Sequence, residues 1–439
     1  MISILIVVSW RGHHPEFCAH FMRACAVFSD RIHVICPPEA DPIALLGEET
    51  SVVEKTFVMP FANRAATSGF LKFADIRADF AQIRNLIDTA MASNHGEKPF
   101  IFHTSLDSLF IGTRQLPALF LEVRKLLPLP FSGWLLSPDR IWPMHGYRQR
   151  LNGVFGDADA SGRLTRCLHR LGNGALSVAG GLLRRLYLWQ RNQILSRSFC
   201  EQIALLDERY ATAIGRKTGK VVTILPDITS LVVSEPPPIA VATIESMKAD
   251  AVVVGMLGAL ERRKGIDLLL DVIRDRDTEG LFFVLAGTYD PAAVAPRHRD
   301  YLATEIQRRK NVLFMPQPIS SEGDFNAILR SCDLLFCVYQ DHLHSSNLVS
   351  KAAAFRKPVL VNHGELMAKR VLEYRLGMVL SASGSEACLA ALRKMCTQSF
   401  LQHYWKTAAT ERYVADHSVE MLRRAIASMS HSIQHPAYE

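Results

Sequence analysis

The sequence predicts an α/β protein made of two doubly wound parallel-sheet domains facing one another across a cleft. Three observations predict it. Short apolar runs alternate with helical stretches through the first half, the pattern lapses around Pro236, Pro237 and Pro238, and it then restarts in full. Continuous apolar strands bounded by turn residues imply a parallel sheet covered on both faces. At 439 residues the chain also exceeds what one hydrophobic core ordinarily serves.

In the first half "ISILIVVS", "RIHVICP", "FIFHTSL", "FSGWLLS" and "QIALLD" read as strands, and "PEFCAHFMRACAVF" as a helix. The first domain is expected over 1–230, and the proline run sits in a stiff linker over 231–248. The second domain, 249–402, offers six strands: "AVVVGMLG", "LFFVLAG", "VLFMP", "LLFCVY", "PVLVN" and "MVLSA". Helices are expected between them at Ile266–Asp275, Arg299–Arg309, Glu322–Arg330, Asn347–Phe355, Glu365–Tyr374 and Glu386–Met395. The tail, 403–439, reads as one amphipathic helix over about His403–Ser430, returning toward the first domain.

Composition narrows the class. Apolar residues make up 49% and charged residues 21%, the balance of a folded protein. The nine cysteines form no CxxC pair and no zinc spacing, which fits free structural thiols in a reducing compartment. The chain opens directly on strand-like residues, without a basic leader or a cleavage site. No apolar run approaches the about 18 residues that span a bilayer. A cytoplasmic protein is expected.

The net charge of +7 is concentrated. Between His145 and Ser198 stand nine arginines, from Arg148 to Arg197, against only Asp157 and Asp159, so the remainder of the chain is close to neutral. Leucines, Tyr187 and Trp189 lie between them. One reading is a solvated helical face whose apolar side packs on its domain. The other is a segment that docks on an anionic membrane surface, which would place the protein peripherally at the inner face of a membrane. No nucleic-acid module accompanies the charge, so nucleic acid is not expected as a partner.

Ligands of doubly wound sheets bind outside the carboxyl ends of the strands. After the strand at Val252–Val254 comes "GMLGALERRKG", where Gly258 permits close backbone approach and Arg262, Arg263 and Lys264 precede a helix. Basic side chains with free helix-start N–H groups suit a diphosphate; a charged surface turn is the plainer alternative. The stretch lacks both the P-loop spacing and a GxGxxG fingerprint. A second loop, "HLHSSNLVSK", places His344, Ser345, Ser346 and Asn347 at a helix start, with Lys351 one turn inside.

"GMLGALERRKGIDLLLDVI", "LFFVLAG", "VLFMPQPISSEGDFNAILRSCDLLFCVYQ" and "LVSKAAAFRKPVLVNHGE", in that order and over about 140 residues, resemble the carboxy-terminal domain of GT-B glycosyltransferases of the retaining family-4 type. The first half resembles them only in general plan. The resemblance implies the GT-B fold and a nucleotide-diphosphate sugar held by the second domain, with no further cofactor. It also implies an acceptor held by the first domain and transfer without an obligatory metal. It places the family's diphosphate-binding lysine on Lys264 and the histidine near the reacting carbon on His103. The family's loop arginine falls on Ala259, so Arg262 or Arg263 would have to supply that charge. Gly12 falls on the turn facing the donor. His13, His14 and Glu16 beside it could touch acceptor or phosphate; a helix-capping turn is the alternative.

The departure lies in the second loop. Where the family carries two glutamates, one for the donor sugar and one for the ribose, this chain has Leu343 and Lys351. Leucine accepts no hydrogen bond, and lysine reverses the charge. The expected function is therefore a hexosyltransferase-type glycosyltransferase acting on a glycan or lipid-linked acceptor in cell-surface polysaccharide synthesis. In it Lys351 joins the donor contacts, and Asp341 or His344 replaces the lost sugar contact. A GT-B-shaped protein that has lost catalysis and acts as a binding or regulatory partner is the alternative that the lost glutamates favour.

Overall fold

The computed structural model describes residues 1–7, 14–62, 73–92, 98–104, 131–134, 189, 192, 195–196, 200–275, 277–340, 342, 344–382 and 384–434. Gly12, His13, Asp341, Leu343 and the arginines of the 145–198 segment lie outside these residues. The chain divides into two units, Met1–Leu225 with Val419–Glu439, and Pro226–Ser418.

In the first unit seven strands pair in parallel: β1 (Ile2–Ile6), β2 (Arg31–Cys36), β3 (Thr56–Pro60), β4 (Phe100–His103), β5 (Phe131–Trp134), β6 (Cys200–Leu205) and β7 (Val221–Ile224). Their order is β3-β2-β1-β4-β5-β6-β7. All five residues of β1 are buried, as a strand flanked on both sides and covered on both faces requires. The edge strands β3 and β7 fall outside the expected set. Both leave side chains partly or fully exposed, Phe57, Val58, Val221 and Ile224 among them, as edge strands do.

The helix His14–Cys25 buries Phe17, Phe21, Met22 and Cys25 along one stripe, the spacing of a single helical face. Against it packs Val419–Gln434, through a stripe containing Leu422, Ile426 and Met429. The Gln202 amide donates to the Met429 carbonyl at 2.9 Å. The last helix is thus part of the first unit.

The tail differs from the single helix expected over 403–430. Three helices stand there, Gln398–Thr407, Thr410–Asp416 and Val419–Gln434. The first break has a clear cause: Ala408 is extended, and the Ala409 N–H bonds to the Tyr374 carbonyl instead of its own helix. At the second, His417 stacks on Tyr413 with ring centroids 4.2 Å apart and its Nδ1 accepts from the Asp227 N–H at 2.9 Å. At the first point a tertiary bond replaces a helical one; at the second the His417 N–H keeps its bond to the Tyr413 carbonyl while its ring is held by distant partners.

The second unit carries β8 (Val252–Leu257), β9 (Leu281–Ala286), β10 (Val312–Met315), β11 (Leu334–Cys337), β12 (Val359–Val361) and β13 (Gly377–Val379). They form one parallel sheet in the order β10-β9-β8-β11-β12-β13. Alternate residues serve opposite faces. Val254, Met256, Phe283, Leu285 and Phe336 pack on one side with Ile266–Asp275 and Ser385–Met395. Val253, Leu257, Phe282, Val284 and Leu335 pack on the other with Glu322–Arg330, Asn347–Ala354 and Leu366–Tyr374. Each such side chain contributes about 2 kcal/mol when fully buried.

The helix expected over Arg299–Arg309 is instead a short α-helix, Pro296–Asp300, followed by a π turn over Tyr301–Glu305 and a 3-10 turn over Ile306–Arg308. The wider π winding brings Tyr301 and Ile306, both buried, toward one face, which an α-helix would hold apart. Within the stretch expected as linker, Ile239–Met247 is helical and buries Ile244. Pro238 precedes it in extended conformation, its ring pre-set for a helix entry.

Candidate functional site

The strand order of the second unit reverses between β8 and β11, and the loops leaving these two neighbours meet at a topological switch point. The loop after β8 turns at Gly258, whose N–H donates to the Ala286 carbonyl at 2.9 Å. Beneath it lies Gly287 with φ 138°, where a Cβ would stand 1.9 Å from the Gly258 oxygen. Gly287→Ala is expected to push the Gly258 turn aside and cost about 1–3 kcal/mol. Thermal unfolding checks it.

Arg262–Lys264 then forms a 3-10 turn closed by Gly265 at φ 87°. A Cβ at Gly265 would stand 2.3 Å from the Val338 oxygen, so glycine lets this turn lie directly on the exit of β11. The three basic residues have different surroundings. Exposed Arg262 pairs with Asp267 at 2.9 Å, and Asp267 also accepts the Ala295 N–H. Arg263 pairs with Glu261 and approaches His342 Nδ1 at 3.2 Å. Lys264 has no hydrogen-bond or ion-pair partner among the described residues. Its ammonium lies 5.6 Å from the Tyr339 ring centroid, and a Cβ on Gly258 would be 2.9 Å from it. Desolvation, and then Arg263, hold its pKa below the ordinary lysine range. A desolvated cation without a carboxylate partner is an anion site in waiting.

The loop after β11 supplies the facing groups. Ser346 caps the helix Asn347–Ala354, its oxygen accepting the Leu348 N–H while it bonds the Tyr339 hydroxyl at 3.1 Å. The N–H groups of Ser345, Ser346 and Asn347 donate to no acceptor among the described residues. His342 Nε2 lies 3.1 Å from the Ser345 carbonyl. Donation there and acceptance at Nδ1 from Arg263 together assign the Nε2–H tautomer. Glu261, Arg263 and His342 thereby brace the loop. Asn362 adds a bond to the Tyr339 carbonyl at 3.1 Å. Tyr339, His342 and Asn362 were not expected as site residues. Tyr339 closes the predicted strand "LLFCVY", so its place at a carboxyl strand end was the available signal.

One expected donor contact is corrected by these surroundings. The Lys351 side chain is 3% exposed, and its ammonium donates to Glu322 at 2.6 Å, Asn326 at 2.9 Å and the Ser230 carbonyl at 3.2 Å. Three protons meet three acceptors, leaving none for a ligand. The Asn347 side chain is likewise engaged, accepting from Thr229 at 2.8 Å and donating to the Ile228 carbonyl at 3.2 Å. Only its backbone N–H is left to serve. His344 stacks edge-on against His342.

In the first unit His103 ends β4 opposite Ile6 and Gly133. It is 1% exposed, and burial pushes its pKa down to about 3. It is therefore a neutral imidazole at ordinary pH, suited to hydrogen bonding and not to holding a positive charge. Glu16 lies in the first turn of His14–Cys25, where the helix dipole favours a carboxylate. His14 opens that helix.

No family model matches the chain, and no curated protein sequence does so. Solved structures do. Sucrose-phosphate synthase from Thermosynechococcus elongatus superposes with a TM-score of 0.63 at 13% identity, covering 99% of both chains. Anabaena HepE in complex with UDP and glucose gives 0.60 at 15%, covering 98% of this chain and 100% of that one. WaaG, a glycosyltransferase involved in lipopolysaccharide biosynthesis, gives 0.56 at 13% over the whole of both chains. The chain has the GT-B fold. Its two parallel sheets of seven and six strands are the two GT-B halves, and the Lys264 site lies at the switch point of the carboxy-terminal one. Among the described residues, no helix of this GT-B chain is long and apolar enough to cross a membrane.

Proposed function

We propose that this protein is a glycosyltransferase that takes its sugar from a nucleotide-diphosphate donor. The observation that carries the reading is Lys264: a desolvated ammonium without a partner among the described residues, beside a glycine turn and the unused N–H groups of Ser345–Asn347. These are the groups a diphosphate leaving group needs. Breaking the sugar–phosphate bond develops negative charge on the diphosphate, and fixed donors in a poorly hydrated pocket stabilise it. HepE, of the same fold, holds UDP-glucose, which supports a nucleotide sugar here.

In this reading the donor rests on Gly258, Lys264, Arg263 and the Ser345–Asn347 loop. Neutral His103 orients donor or acceptor, and the leaving oxygen takes the acceptor proton. The reaction retains configuration and needs no metal. Gly12 serves the donor, and the acceptor, a glycan or lipid-linked glycan of the cell surface, is met on the side of His13, His14 and Glu16. The Arg148–Arg197 segment docks on an anionic membrane.

A thermal-shift panel with UDP, GDP, ADP and their sugars tests the core of this proposal. At a hundredfold excess over Kd, the preferred nucleotide should stabilise the protein by about 2.7 kcal/mol. No shift with any of them would sink the enzyme reading. Binding of a nucleotide sugar without its turnover over any glycan acceptor would favour a protein that binds but does not transfer.

A further inference from the structure

The segment Asp227–Ser234 is bound along three helices, Glu322–Arg330, Asn347–Ala354 and Leu366–Tyr374, by a run of side chains that the anion site does not use. The Asp227 carboxylate receives Arg370 at 3.0 Å. The Ile228 carbonyl and the Thr229 hydroxyl both bond the Asn347 side chain. The Ser230 carbonyl receives Lys351 and Asn326, at 3.2 and 3.1 Å, and the Val232 carbonyl receives Asn326 at 2.6 Å. Ser234 lies so close to Gly323 that a Cβ there would stand 2.5 Å from its hydroxyl.

We infer that Lys351 is a positioning residue: it holds the Asp227–Ser234 strap against Glu322–Arg330, and the strap in turn holds Asn347 and the helix start whose N–H groups receive the diphosphate. The inference rests on the anion-site reading above. The path is short and continuous. The ammonium fixes the Ser230 carbonyl, the adjacent Thr229 hydroxyl fixes Asn347, and Asn347 directly follows the Ser346 cap. Fixed donors stabilise a developing anion only while their geometry is held, so a loop released behind the site loses affinity without losing a single ligand contact. Glu322 is half exposed, at 49%, and supplies the counter-charge at the rim.

The test uses the full chain and two probes, inorganic pyrophosphate and UDP. Lys351→Met keeps most of the side-chain volume and removes the three donors. It is expected to weaken both ligands by the same factor, about tenfold, and to speed amide exchange in the ligand-free protein at Leu348 and Val349, whose N–H groups bond to Ser346. Thr229→Val removes one hydroxyl and no charge; it should weaken both probes in the same direction, and it serves if Lys351→Met does not fold. A loss confined to UDP would place Lys351 against the nucleoside and overturn the inference, as would a lowered Tm with both affinities unchanged. If the unaltered protein binds neither probe, the anion reading fails instead. Exchange at Leu348 and Val349 then still decides whether Lys351 holds the loop.

Discussion

Lys264→Met is expected to weaken pyrophosphate and UDP by between about tenfold and a hundredfold, the worth of a shielded, charge-assisted hydrogen bond. The fold should survive, because the ammonium is bonded to no other group among the described residues. The substitution removes a desolvated charge that the ligand-free protein bears at a cost, so the apo variant should be no less stable than the parent. pH gives the second half of the result. Burial and Arg263 lower the Lys264 pKa in the free protein, while a bound diphosphate favours the protonated form and raises it again. Below the lowered value lysine is already charged and binding is full. As pH rises through that value, binding must take up a proton, and affinity falls, beginning below the about 10.4 of an ordinary lysine. Stability of the free protein has the opposite slope. Between the lowered folded pKa and the unfolded one the unfolded chain binds more protons, so stability rises with pH. In Lys264→Met this contribution to both slopes should vanish. Calorimetric titration across a pH series reads the first, and an unchanged slope would remove Lys264 from the site.

Arg370→Leu should produce the largest loss of stability. Arg370 and Asp227 form an ion pair at 3.0 Å with both side chains almost fully buried. Removing one partner strands the other charge and costs about 3–5 kcal/mol, whereas removing both is far milder. The single variant should speed amide exchange throughout Leu366–Tyr374 and Thr410–Asp416. The double variant Arg370→Leu/Asp227→Leu should recover most of the protection. If the double variant is as damaged as the single one, the pair is not an isolated buried charge couple. Because the chain has two units, exchange measured helix by helix is the proper readout; one global unfolding curve would mix them.

The interior strands were legible because burial on both faces demands uninterrupted apolar residues. Ile266–Asp275 and Glu322–Arg330 stand where periodicity placed them, and all six strands of the second sheet were foreseen. The edges β3 and β7 were not foreseen, although both are short and largely apolar. Lys264 and Gly258 could be singled out as candidates because their chemistry is local: a turn glycine and a cation at a strand end. Lys351 was misread because a sequence shows a charge without showing what surrounds it. Its partners Glu322, Asn326 and Ser230 are 29, 25 and 121 positions away.

From one dimension, then, come the double α/β plan and the loops that end at its strands, because period and turn chemistry act over a few residues. The rest was decided in three dimensions. Lys264 stands without a partner while Lys351 is fully engaged, the tail breaks where Ala409 and His417 find distant partners, and the last helix joins the first unit. Each depends on which groups meet after folding, and a buried polar group takes its role from its neighbours in space.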